Sequence, residues 1–237
     1  MKKIICILLL IISPKLTIGQ AGTTSKPSEF ESTSQLYDVL KRKLMENKVV
    51  KYDLKNVIGS PYYKDNFTSG NMLLKEKNFG RYLFKYNIYR DEVELKVNEL
   101  SELESVKKIV GLRIKLDDST LLKVVNLKKD NESQKHFVVN LVNGNYNLVK
   151  RVYVNFKTPK EAENSLTTNK KAKFTRYEEY FIKSPEKQNY SKVEKNKKKF
   201  YNLFTNNSIG IENYVKENKL NIKKEEDLIK LINFANQ

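Results

Sequence analysis

The sequence is poor in the residues that most enzymes use. Of 237 residues one is cysteine and one is histidine. Cys6 lies within the first apolar stretch. The remainder therefore has no thiol for a disulfide, for a thiolate-bound metal or for nucleophilic attack. A lone imidazole, His136, excludes the usual zinc and copper ligand sets. A Ser-His-Asp triad would have to use it, yet no Gly-x-Ser-x-Gly elbow is present. At the head of an expected strand, His136 is read as a structural residue. Acidic side chains are also scarce, with 28 Asp+Glu against 45 Lys+Arg and a formal charge of +17. Such a surplus favours solubility and attraction to acidic surfaces, although enrichment in Lys alone selects no partner. Long apolar runs are missing as well. Ile4–Ile12 spans nine residues, well short of the ~20 needed to cross a bilayer as a helix.

That short run has the grammar of an export signal. Lys2 and Lys3 precede it, Ser13 and Pro14 break it, and Thr17-Ile18-Gly19 offers small residues for cleavage near Gly19 and Gln20. The apolar run follows Cys6, so this cysteine does not fit a lipoprotein site. Residues 20–33 are small and polar, the composition of a flexible linker. Leu36, Val39, Leu40 and Leu44 then recur at helical spacing behind Ser34.

From Tyr52 to Ile182 the periodicity is that of strands. Val93, Leu95 and Val97 alternate with Glu92, Glu94 and Lys96, as in a half-buried strand. Candidate strands cover Met72–Leu74, Tyr82–Ile88, Ile109–Leu116, Leu121–Leu127, Phe137–Val142, Tyr146–Phe156 and Phe174–Ile182. Asp117-Asp118-Ser119-Thr120 and Asn143-Gly144 supply hairpin turns. Consecutive strands without alternating helices predict a mainly β fold, an antiparallel sandwich or an open barrel. After Pro185 helical spacing returns in Ile211, Tyr214 and Val215. It continues behind Glu225-Glu226-Asp227, whose charges suit a helix N-terminus. The expected division is a signal peptide at 1–19, a linker at 20–33, a β-rich domain with a short leading helix at 34–185, and a small helical C-terminal appendage at 186–237.

Gly59-Ser60-Pro61-Tyr62-Tyr63, Asp65 to Gly70 and the stretch Arg81 to Glu94 resemble a group of small exported proteins of Bacteroidetes-type bacteria. The ending, Tyr214 to Leu220 and Glu225 to Leu231, is similar to the end of that group. The resemblance carries no catalytic residue. It implies a location in the periplasm, at the outer-membrane face or outside the cell. Asp118-Ser119-Thr120 also resembles the short O-glycosylation pattern of such bacteria.

Within Arg81 to Val97, Tyr82, Phe84, Tyr86 and Ile88 share one strand face. They are read as core, with a carbohydrate or peptide platform as the functional alternative. A turn near Arg90-Asp91 would set Lys85 or Arg90 opposite Glu92 and Glu94. Paired carboxylates occur at Asp117-Asp118, Glu178-Glu179 and Glu225-Glu226-Asp227. Turn, strand and helix-start roles account for each of them better than a hydrolytic pair or calcium, which Asp130-Asn131-Glu132 would also have to serve. No cofactor or metal is expected.

The functional candidate is the basic run Lys192, Lys195, Lys197, Lys198 and Lys199 beside Phe200 and Tyr201, with charge to approach an anionic surface and aromatics to insert into it. A helix with a solvated lysine face and an apolar core face has the same composition. Taken together, the sequence predicts an exported, non-enzymatic cell-envelope protein that acts as a binding or accessory subunit. Its partner is expected to be an envelope protein, with anionic lipid or polysaccharide as further candidates. Nucleic acid is not expected after export. Two alternatives stand: an envelope glycan hydrolase using paired carboxylates, and a polyanion or membrane-surface binder working through the basic segment.

Overall fold

In the computed structural model the period-two segments become one continuous antiparallel sheet. The structure describes residues 57–129, 132–160, 168–194, 196–204 and 207–237, with the backbone of Met45–Glu46. The expected signal, linker and leading helix lie outside the described residues, as does the Asp130-Asn131 pair.

Eleven strands follow one another. They are β1 (Met45–Glu46), β2 (Thr68–Leu74), β3 (Lys77–Asn87), β4 (Glu92–Lys96), β5 (Glu104–Val106), β6 (Leu112–Leu116), β7 (Leu121–Lys129), β8 (Glu132–Val142), β9 (Asn147–Lys157), β10 (Lys173–Lys183) and β11 (Ser191–Lys192). Three helices complete the chain: α1 (Lys197–Tyr201), α2 (Ser208–Glu217) and α3 (Glu225–Ala235). The sheet order is β1-β5-β4-β3-β2-β6-β7-β8-β9-β10-β11, with every pairing antiparallel. The expected antiparallel β domain with a helical appendage is present. A single sheet with two edges matches the open architecture rather than two separate layers.

The sheet curls over its own inner face. β3 and β10 stand far apart in the strand order, yet residues 58–62 reach both, through bridges from Ile58 to Lys173 and from Tyr62 to Asn87. The inner face is apolar. Tyr82, Phe84 and Tyr86 of β3 point inward with Leu122 and Val124 of β7, Phe137 and Val139 of β8, and Val152 and Val154 of β9. Burying each such side chain stabilises the fold by about 1.5–3 kcal/mol. Lys85 stands opposite Glu94 in the β3–β4 register and Arg90 pairs with Glu92 at 2.9 Å, the pairing anticipated for this hairpin.

The sheet is open at one place. β8 pairs with β9 only from Val139 to Val142, while β9 runs on to Lys157 paired with β10. Buried main-chain groups left by such a divergence need partners. The β3–β4 turn supplies them. Asp91 Oδ1 accepts from the Phe137 amide at 3.1 Å. The Tyr86 hydroxyl lies 2.9 Å from both the Phe137 carbonyl and Asp91 Oδ1, with one proton shared between them. Burial, then the Asp91 charge, holds the Tyr86 pKa well above the ordinary tyrosine value, so it stays a donor. Asp91 Oδ2 meets His136 Nδ1 at 2.9 Å and Lys108 Nζ at 2.8 Å. Asp91 itself is left-handed, with φ +54°, a conformation Asp tolerates.

The helices carry a second core. Phe200, Phe204, Ile211, Leu228, Leu231 and Ile232 are fully buried against Val142, Leu148 and Ile182 of the sheet. Glu225, at the start of α3, anchors the appendage to the buried Lys150 ammonium at 2.7 Å and to the Tyr180 hydroxyl at 2.9 Å. The last residues close the structure. Asn236 accepts from the Tyr146 amide at 2.7 Å and donates to the Tyr146 carbonyl at 3.0 Å, as a paired strand would. A Cβ on Gly144 would meet the Asn236 side chain at 2.5 Å. The Asn143-Gly144 hairpin is thus present, but its four-residue loop uses the glycine for this close approach. A left-handed turn is not what requires it.

Two stability outcomes are expected. Asp91→Ala orphans the Phe137 amide and should cost about 2–4 kcal/mol in urea unfolding. Asp91→Gly relaxes the positive φ and should lose nearly as much. A glycine variant as stable as the parent would show that turn geometry, not the carboxylate, holds the sheet. Asn236→Ala should cost about 1–2 kcal/mol. Gly144→Ala should be more harmful in the parent than in the Asn236→Ala background, a positive coupling in a double-mutant cycle.

Candidate functional site

The basic segment is built as a helix face over a core. Asn196 caps α1 by accepting from the Lys199 amide, and Lys197, Lys198 and Lys199 are exposed. Phe200 and Tyr201 are buried, Phe200 completely. Their inward packing corrects the expectation that these rings insert into a surface. Lys192 sits in β11 with its ammonium 2.6 Å from Glu179 Oε1, and Lys195 lies outside the described residues.

The paired carboxylates are engaged locally. Asp117 pairs with Arg81, and Asp118 pairs with Lys64 while accepting from the Thr120 amide at 2.9 Å. Glu178 and Glu179 project to opposite faces of β10, the first towards Arg176 at 3.3 Å and the second towards Arg151 at 3.5 Å and Lys192. Asp227 accepts from the Asn221 amide at 2.9 Å. Ser119, in the O-glycosylation-like triplet, is exposed at the tip of the β6–β7 turn with φ +69°. His136 is buried and its Nδ1 is committed to Asp91. Among the described residues, no group of three or more His, Cys, Asp and Glu is arranged to hold a metal ion. Among them, too, no helix is long and apolar enough to cross a membrane.

The aromatic strand Arg81–Ile88 resolves into core plus one displayed ring. Tyr82, Phe84 and Tyr86 are buried, whereas Tyr89, one residue beyond Ile88, is 43 % exposed. Its ring packs edge-on against Phe174 at 5.3 Å and lies 6.3 Å from Phe156. Phe156 and Phe174 face each other across β9–β10 with centroids 4.8 Å apart. Phe156 is 38 % exposed, and Ile58, 50 % exposed, is fixed beside them by the Phe174 amide donating to its carbonyl at 2.8 Å. The result is a rigid apolar patch at the tip where the β3–β4 turn meets the β9–β10 arm.

Cations border this patch. Lys157 and Lys173, each next in sequence to one of the two phenylalanines, are direct cross-strand partners and both exposed. Lys170 and Lys171 follow the same edge, and the Lys160–Lys170 bridge closes the arm beyond it. Among the described residues none of Lys157, Lys170, Lys171 and Lys173 forms an ion pair with an acid. Like charges directly opposite one another destabilise a strand pair. Residues far apart in sequence meet here, which hides the patch from periodicity. The mirrored dipeptides Phe156-Lys157 and Lys173-Phe174 become informative only once the β9–β10 register is known.

Replacing Lys157 by Glu should therefore stabilise the fold by about 0.2–1 kcal/mol through pairing with Lys173. Thermal unfolding at low salt checks this, and the gain should shrink at high salt. No family model, no curated protein and no solved structure matches this chain.

Proposed function

We propose that this protein is an exported, non-catalytic accessory subunit of the cell envelope that docks an acidic partner protein through the Tyr89–Phe156–Ile58 tip. One observation carries the reading: exposed aromatics fixed in a rigid cluster and edged by lysines that repel each other. A fold stabilised by its own contacts gains nothing from opposing Lys157 to Lys173. An acidic partner would relieve that repulsion. Tyrosine and phenylalanine anchors already held in one arrangement lose little side-chain freedom on association, which is where interface energy concentrates. The rings brace one another edge-on and tilted, fixed in place by the sheet and so a better match to a protein surface than to insertion among lipid chains. Export rests on the signal-like first nineteen residues, and the periplasm or the outer-membrane face on the sequence resemblance.

The test is recovery of the C-terminally tagged chain from native envelopes at moderate and high salt. An acidic protein should co-purify stoichiometrically. It should be lost from the Tyr89→Ser/Phe156→Ser and Lys157→Glu/Lys173→Glu variants and retained by Lys197→Gln/Lys198→Gln/Lys199→Gln. Urea midpoints near the parent value establish that the variants fold. Capture indifferent to the tip variants, binding only to anionic vesicles, or turnover of glycans by the purified chain would each defeat the reading.

A further inference from the structure

A second concentration of positive charge lies on the outer face of the sheet, independent of the docking tip. Arg113 of β6 and Lys123 of β7 are direct cross-strand partners. Both point away from the core, since Leu112, Ile114, Leu122 and Val124 occupy the alternate positions. Beside them the chain leaving β10 folds back over the sheet, and Tyr190 packs on the outward side chains of Val125, Val138, Val149 and Phe181. Between this returning loop and the β6–β7 ladder is a cavity of about 380 Å³, bordered by Arg113, Lys123, Lys183, Asn126, Asn189 and Tyr190. That volume falls in the range of small-molecule sites.

The charges in this cavity are unbalanced. Its one acid is Glu76, whose 83 % exposed side chain pairs with Arg113 at 2.7 Å from the rim. Lys123 is half-buried, and its ammonium finds only the neutral carbonyl of Asn143 among the described residues. Burial, then the neighbouring Arg113 charge, draws the Lys123 pKa below the ordinary lysine value. Two cations are thus held face to face in a hollow, at a cost to the fold, with a third at its edge. Asn126 and Asn189 add amide donors and acceptors, and Tyr190 adds an aromatic wall. A guanidinium and an ammonium bordering one space, both within reach of it on turning from Glu76 and Asn143, suit a planar or tetrahedral oxyanion. The amides and the ring suit the hydroxylated body of a small polar molecule.

We propose that this cavity binds a sugar-sized ligand carrying one oxyanionic group, with Arg113 and Lys123 gripping the anion. The oxyanion is a phosphate or a carboxylate, and the ligand series separates the two. Calorimetric titration of the full chain at constant ionic strength with inorganic phosphate, glucose 6-phosphate and glucuronate should give saturable binding of at least one sugar acid, tighter than that of free phosphate. Arg113→Gln and Lys123→Gln should each weaken it by about tenfold or more. Lys123→Gln should melt no lower than the parent without ligand, since it removes a repulsion. Arg113→Gln, which also gives up the exposed Glu76 pair, should melt within a few degrees of the parent. Both should lose the ligand-induced rise in Tm. The Lys197→Gln/Lys198→Gln/Lys199→Gln variant, which loses more positive charge than either, should bind as the parent does. Absence of saturable binding for every ligand, or binding unchanged in the Arg113 and Lys123 variants, would overturn the site. So would a Lys123→Gln variant that unfolds earlier in the ligand-free state, because that cation would then be structural.

Discussion

The carboxylate of Asp91 does the work of an absent strand. Where β8 and β9 diverge, water or a new partner must take over the main chain at Phe137, and in a core of aromatic side chains water is excluded. A charged acceptor is stronger than the carbonyl it replaces, and it draws in donors from three directions: the Phe137 amide, the His136 ring and the Lys108 ammonium. The sheet can therefore open at β8 and still curl, because the β3–β4 turn is bolted to the strand it faces. Tyr89 stands two residues before Asp91 in the same turn. Whatever fixes Asp91 also fixes the ring displayed at the tip, so the aromatic patch inherits its position from the sheet's closure.

Cross-strand charge is used in two ways across the sheet. Lys85 faces Glu94 and Arg151 faces Glu179, pairs that help set register. Burial pushes the Glu94 pKa up, opposed by hydrogen bonds from Asn87 and Tyr62. These are charges neutralised by neighbours that folding itself brings in. Lys157 facing Lys173 and Arg113 facing Lys123 are the opposite case. Among the described residues, Lys157 and Lys173 meet no acid, while Arg113 meets one at the rim, Glu76 at 2.7 Å. A surplus of +17 alone would spread lysines without regard to register. Like charges set directly opposite one another beside exposed rings or above a cavity are a more specific sign.

The strands were legible because their residues alternate, and alternation is a local property. Tyr82–Ile88 and Phe174–Ile182 match β3 and β10 to within a few residues, whereas β5 and β11 were missed since three and two residues give no period. The Asn143-Gly144 turn was legible, but the reason for its glycine was not, because Asn236 lies at the other end of the chain. His136 was read as structural from its isolation, without sight of the carboxylate it meets, 45 residues upstream. The aromatic patch was hidden for the same reason. Its members come from three separate stretches, and each looks like ordinary core when taken alone. The composition of the lysine segment misled for Phe200 and Tyr201. A basic helix face above an apolar one reads alike whether the apolar side meets a membrane or the protein's own core.

The acids of the expected carboxylate pairs are held in ion pairs. A general acid needs a carboxyl kept protonated by an apolar pocket or a like charge, and its partner needs to be free to meet substrate. Asp117, Asp118, Glu178, Glu179 and Glu225 instead each sit against a cation from another residue of the fold. For Asp118 the Lys64 ammonium and the Thr120 amide outweigh partial burial and hold its pKa below the usual carboxylate value, away from the range a proton donor requires. The paired acids of this sequence hold turns, strands and a helix end in place. Among the described residues, like charges stand directly opposite one another at the cations Lys157 and Lys173, beside the exposed Phe156 ring. Such a pair of ammonium groups suits attraction of an acidic group more than proton transfer.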